Sequence, residues 1–134
     1  MGLDMYLHGS KFHTSLVADE TTEQPYLDGK KVKTSIVDLG YWRKHPNLHG
    51  YIVETFASGL DECQEIPLNE KQLEQIAQAI EDRKLPHTEG FFFGQSEWHE
   101  EEVETSVDAK TFREAKDFLR KSDWTRSVYY RASW

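Results

Sequence analysis

Tyr41-Trp42-Arg43-Lys44-His45 sets two aromatic rings, two cations and an imidazole side by side. The residues that follow, RKHPNLHGYIVETFASG over 43–59, have helical spacing, with Leu48, Ile52 and Phe56 at every fourth position. Pro46 fits such a helix only in its first turn, where backbone N–H groups have no partner within the helix. Arg43 and Lys44 then stand at the helix start, where free N–H groups and the macrodipole already favour an anion. A nucleotide or another phosphorylated small molecule would answer those cations, with Trp42, Arg43, Lys44, His49 and Tyr130 around it. The plainer account places Trp42 in the core and pairs Arg43 with an acid of the same chain.

His45 and His49 are four residues apart on that helical face, the spacing that lets two imidazoles meet one metal ion. His87, Glu89, His99 or Glu100–Glu102 would bring a third ligand. The intervening Pro-Asn-Leu lacks the glutamate of a HExxH zinc helix, and there is no CxxC pair, so His45 and His49 remain minor metal candidates. Cys63, the one cysteine, lies in DECQEI, where neighbouring carboxylates disfavour a thiolate nucleophile. There is no GxSxG elbow. No catalytic residue is assigned and no cofactor is implied.

TEGFFFGQSEWHEEEVE, residues 88–104, places Phe91, Phe92 and Phe93 between two glycines. A strand covered on both faces accounts for all three rings, and the competing reading makes one of them a pocket wall beside Trp42, Trp98 and Tyr130. The acids that follow read most simply as a solvated edge or loop. As a functional alternative, Glu97, Glu100, Glu101 and Glu102 form an acidic face for a protein partner.

The elements that must position these groups are legible in the apolar periodicity. Leu3, Met5 and Leu7 alternate with Asp4, Tyr6 and His8, the period of a strand, and Val128, Tyr130 and Ala132 alternate in the same way near the C-terminus. The C-terminal strand is expected to pair in the sheet, beside the N-terminal strand. Asp28-Gly29 marks a hairpin turn, with 31–38 as the returning strand. Pro67 ends the short strand expected over CQEI. Asn69 and Gln72 form a capping box before the stripe Leu73, Ile76, Ala77, Ile80. A third helix fits DAKTFREAKDFLRKSD, with Asp108 as its cap. The fold class is therefore α+β, one domain over 1–134, with three amphipathic helices packed on a mainly antiparallel sheet that contains the N- and C-terminal strands.

A net charge of −8 argues against general nucleic-acid binding, which needs a basic surface. No apolar run approaches a membrane span, so a cytoplasmic location is expected.

Read together, MGLDMYL (1–7), YWRKHPNLH (41–49), DECQEIPLNEKQLEQI (61–76), LPHTEGFFFGQSEW (85–98) and YYRASW (129–134) resemble a family of small proteins encoded by tailed bacteriophages and prophages. The resemblance covers most of the chain outside 11–35. This sequence departs from the family pattern at Pro46 and Gly50-Tyr51, where members continue a regular helix, and at SEWHEEEVE, which replaces a more tyrosine-rich segment. Some members carry a phosphoglycerate kinase label, which a 134-residue chain without a glycine-rich phosphate loop does not support. Together with the charge of −8 and the absence of a catalytic signature, the resemblance leads to the expectation of an accessory protein of the bacterial host cell that acts by binding, as a host-interaction or counter-defence protein engaging a host protein through its acidic face. A binder of an anionic small molecule is the alternative, and a metal-assisted hydrolase comes third.

Overall fold

Alternation of Leu3, Met5 and Leu7 with more exposed neighbours builds strand β1, Asp4–Phe12. The chain is seen as a computed structural model that describes residues 2–13, 26–88, 101–121 and 125–134. Asp28 and Gly29 take φ of 52° and 74° and close a tight hairpin between β2 (Tyr26–Leu27) and β3 (Lys30–Lys31). The returning strand expected over 31–38 does not form as one arm of that hairpin. β3 ends at Lys31, and a separate strand β4, Thr34–Arg43, pairs antiparallel with β1. Pairing there buries Trp42 against the helices, a gain that extension of the exposed hairpin does not offer.

Helix α1, Pro46–Phe56, begins later than the periodicity suggested. Arg43 is the last residue of β4, Lys44 takes a left-handed φ of 54°, and His45 is the non-helical N-cap. Proline excludes the helical conformation from the residue before it, and this keeps His45 out of α1. Gly59, at φ 80°, donates its N–H to the Val53 carbonyl beyond the helix end.

Strand β5, Ile66–Leu68, contains Pro67 instead of ending at it. An edge strand tolerates proline because its outward side needs no N–H donor. Helix α2, Glu70–Glu81, carries the expected capping box: Asn69 Oδ1 accepts from Gln72 N–H at 2.8 Å, and Gln72 Oε1 accepts from Asn69 N–H at 2.9 Å.

Helix α3, Glu102–Arg120, starts six residues before the expected cap. Glu102 and Glu104 occupy its first turn, where negative charge suits the macrodipole. Asp108 is therefore not a cap. It lies buried in the helix and accepts a 2.8 Å hydrogen bond from Trp42 Nε1. Trp42 also stacks on Phe112, with centroids 5.2 Å apart, and thereby ties β4 to α3.

The last strand, β6 (Arg126–Ser133), pairs with β1 on one side and β5 on the other. The four-stranded antiparallel sheet has the order β4-β1-β6-β5, so the protein is α+β as expected, and the N- and C-terminal strands are neighbours. Leu3, Met5, Leu7, Val128, Tyr130 and Ala132 on its inner face share one buried cluster with Leu48 and Ile52 of α1, Ile76 and Ile80 of α2, and Phe112 of α3. Between α2 and α3, Glu74 bonds Lys116 at 2.8 Å and Arg113 at 3.0 Å, and these bonds hold its carboxyl below the ordinary range. Among the described residues no helix is long and apolar enough to cross a membrane.

Candidate functional site

Of the five side chains expected to surround an anion, His49 and Tyr130 meet, and the two cations lie apart from them. Trp42, His49 and Tyr130 are buried, whereas Arg43 and Lys44 are exposed. Arg43 Nε lies 4.0 Å from Asp4, and Lys44 spends its backbone N–H on the Leu3 carbonyl. Neither cation lies in the first turn of α1, since His45 is the N-cap and Pro46 the first helical residue. Of the expected partner-binding acids, Glu101 is the N-cap of α3 and Glu102 its first residue. Glu97 and Glu100 lie outside the described residues, as do Phe91–Phe93 and His99.

On the inner side of α1, His49 links two side chains. Its Nε2 is 3.0 Å from each carboxylate oxygen of Asp61, and its Nδ1 is 2.6 Å from the Tyr130 hydroxyl. An ionised carboxylate only accepts, so Nε2 carries a proton, and a neutral ring then accepts at Nδ1 from the Tyr130 O–H. Burial, then the negative charge of Asp61, pushes the Tyr130 phenol well above its ordinary value, so it stays a donor. Because Tyr130 is fully buried, it has no face for a substrate. With both ring nitrogens engaged, His49 has no lone pair to offer a metal. Among the described residues, no group of three or more His, Cys, Asp or Glu side chains could hold an ion. Trp134 meets His49 edge-on at 5.8 Å, so the arrangement fastens the C-terminus and the loop after α1 to the helix.

The opposite face of the sheet is different. Register places Arg43, Asp4 and Ser133 in one row, Tyr41, Tyr6 and Arg131 in the next, and Asp38, His8 and Tyr129 in the third. Rings run diagonally across three strands: Tyr41 to Tyr6 at 5.4 Å, Tyr6 to His8 at 5.7 Å, His8 to Tyr129 at 5.5 Å. Tyr41 is 56% exposed, far beyond what a core ring would show.

A β-bulge shapes this face. Leu7 pairs with Gly40 and His8 with Asp38, so Leu39 is the extra residue in β4. Leu39 packs against the core, while Asp38 comes opposite His8, 3.2 Å from Nε2. Gly40 has no room for a side chain, since a Cβ there would come within 2.7 Å of the Trp42 ring and 2.9 Å of Thr111. Next to the bulge lies a hollow of about 440 Å³ lined by Tyr6, His8, Asp38, Gly40, Tyr41, Arg131 and Ser133. Tyr41 donates to Asp4 at 2.6 Å, and that bond is the main cause of a phenol held above its usual value.

Sequence reasoning missed this face, although half its signal was present. Asp4, Tyr6 and His8 are one phase of β1, and Tyr129, Arg131 and Ser133 the matching phase of β6. Reading the outward phase of both terminal strands as one surface would have found the rings. The bulge, and with it the place of Asp38, has no comparable sequence mark. No protein-family model, curated protein or solved structure matches the chain.

Proposed function

We propose that the chain is an accessory protein of a tailed phage or prophage that acts by binding a host protein through the outer face of its sheet. The observation that carries this reading is the outward-facing band of exposed Tyr41 and half-buried Tyr6, His8 and Tyr129, flanked by Arg43 and Arg131. Tyrosine and arginine are the residues that most often carry the binding energy of protein interfaces, because they combine large contact area with hydrogen bonding at small entropic cost. Core needs do not explain rings turned away from the core. The acidic residues at the start of α3 are satisfied as first-turn charges and need no partner. A small anionic molecule is the second reading, favoured by the hollow beside the bulge.

The test uses purified wild-type protein, a Tyr41→Ser/Tyr129→Ser variant and a Glu101→Lys/Glu102→Lys variant as baits against host lysate. Any host protein captured by the wild type is then purified and titrated against all three by calorimetry. The reading requires defined stoichiometry with the wild type, and the tyrosine variant should bind about thirtyfold or more weakly, the loss of a hot spot. Full binding by the tyrosine variant together with loss in the glutamate variant would move the interface to α3.

A further inference from the structure

Resting on the reading of the outer face as the binding surface, we infer that its hollow receives an oxyanion, a carboxylate or a phosphate, at Arg131. Arg131 is exposed, and its Nε donates to the Cys63 carbonyl at 3.2 Å. Its guanidinium makes no ion pair with any described residue, which leaves the outer N–H groups to donate to a planar or tetrahedral oxyanion in bidentate fashion.

The loop that orients Arg131 is itself built. Cys63 takes a left-handed φ of 59°, the Gln64 side chain bonds Glu62 N–H and the Leu60 carbonyl, and Asp61 is held by His49. A cation steered by a fixed loop is pre-organised, so less ordering cost falls on binding. The Asp61–His49–Tyr130 chain thus gains a role at the outer face, because it pins the loop whose carbonyl aims Arg131.

The other charges of the hollow are already answered. Asp38 faces His8, and Asp4 receives the Tyr41 hydroxyl with Arg43 nearby. Arg131 is the remaining cation. Ser133 stands two residues along on the same face, and Tyr6, paired across the strands with Arg131, has a hydroxyl without a hydrogen bond to any described residue. An oxyanion on Arg131 would find both hydroxyls as further donors, while Asp38 at the far end would repel it and so fix its orientation. The Tyr6 and Tyr41 rings give the rest of the ligand a flat wall. The overall charge of −8 does not forbid this, because charges beyond about 8 Å are screened at physiological salt.

The experiment is an NMR titration of the full chain with inorganic phosphate and, separately, sodium acetate, at ionic strength held constant with chloride. Saturable shifts of the Arg131 Nε–H and the Tyr6 ring are expected. The Tyr6 shifts should be lost in Arg131→Gln and weakened in Arg131→Lys, which keeps the charge without the bidentate fork. Tighter binding of phosphate would assign the hollow to a phosphorylated ligand, and equal binding to a carboxylate side chain of the partner. Shifts that stay linear, or that persist unchanged in Arg131→Gln, would overturn the inference. If a host protein is lost by Tyr41→Ser/Tyr129→Ser yet bound fully by Arg131→Gln, the surface stands and the oxyanion falls. Saturable phosphate binding alongside full host-protein binding by the tyrosine variant would do the reverse.

Discussion

Leu7 and Tyr130 pair across β1 and β6 beneath the helices, and one residue along the same strands His8 and Tyr129 meet, half-buried, on the outer face. Both tyrosine–histidine contacts are close, with Tyr130 and His49 at 5.8 Å between centroids and Tyr129 and His8 at 5.5 Å. Their physics differs. Inside, the phenol is held above its ordinary value chiefly by burial, and its hydrogen bond to His49 satisfies a group that water cannot reach. Outside, Tyr41 is shifted in the same direction chiefly by its bond to Asp4, and more than half of its surface remains free. A perturbed tyrosine is therefore no mark of a binding site in this chain. Exposure is what separates the two: Tyr41 keeps free surface, whereas Tyr130 has none.

That contrast breaks first at the core. Phe112 is fully buried against Trp42, so Phe112→Ala should cost about 3–5 kcal/mol in urea unfolding. A loss much below that range would show that α3 is only loosely seated on the sheet. His49→Ala should cost roughly 1–3 kcal/mol, because it leaves the Tyr130 hydroxyl buried without its acceptor. The same variant should broaden the Arg131 and Cys63 NMR signals if the loop depends on Asp61–His49.

The buried phenol also has a pH signature. Its folded pKa lies above the unfolded one, so its contribution is complete below the ordinary phenol range and is lost as pH rises beyond it. In that alkaline window the unfolded chain releases a proton that the native state keeps, and stability falls by at most about 1.4 kcal/mol per pH unit from this group. Tyr130→Phe should show a shallower alkaline loss of stability than wild type. Identical slopes would mean that Tyr130 does not differ between the two states. The smallest effect belongs to the open face: Tyr41→Ser should change stability by no more than about 0.5 kcal/mol, as measured by thermal unfolding, whatever it does to binding. A large loss there would turn the ring band into a structural feature and weaken the case for recognition.

Sequence by itself determined the elements whose cause is local. Period-two alternation marked β1 and β6, the Asn69–Gln72 box marked the start of α2, and Asp28-Gly29 marked the hairpin. Each depends on residues a few positions apart, so the information is present before the chain folds. Tertiary structure alone decided the partners. Lys44 in a left-handed conformation separates β4 from α1, the extra residue Leu39 brings Asp38 to His8, and His49 meets Asp61 and Tyr130 from two other parts of the chain. Even Asp108, a good cap by composition, was claimed by the indole of a residue 66 positions away. Strand register and helix seating are set by packing the whole core at once, and the candidate site follows from that register.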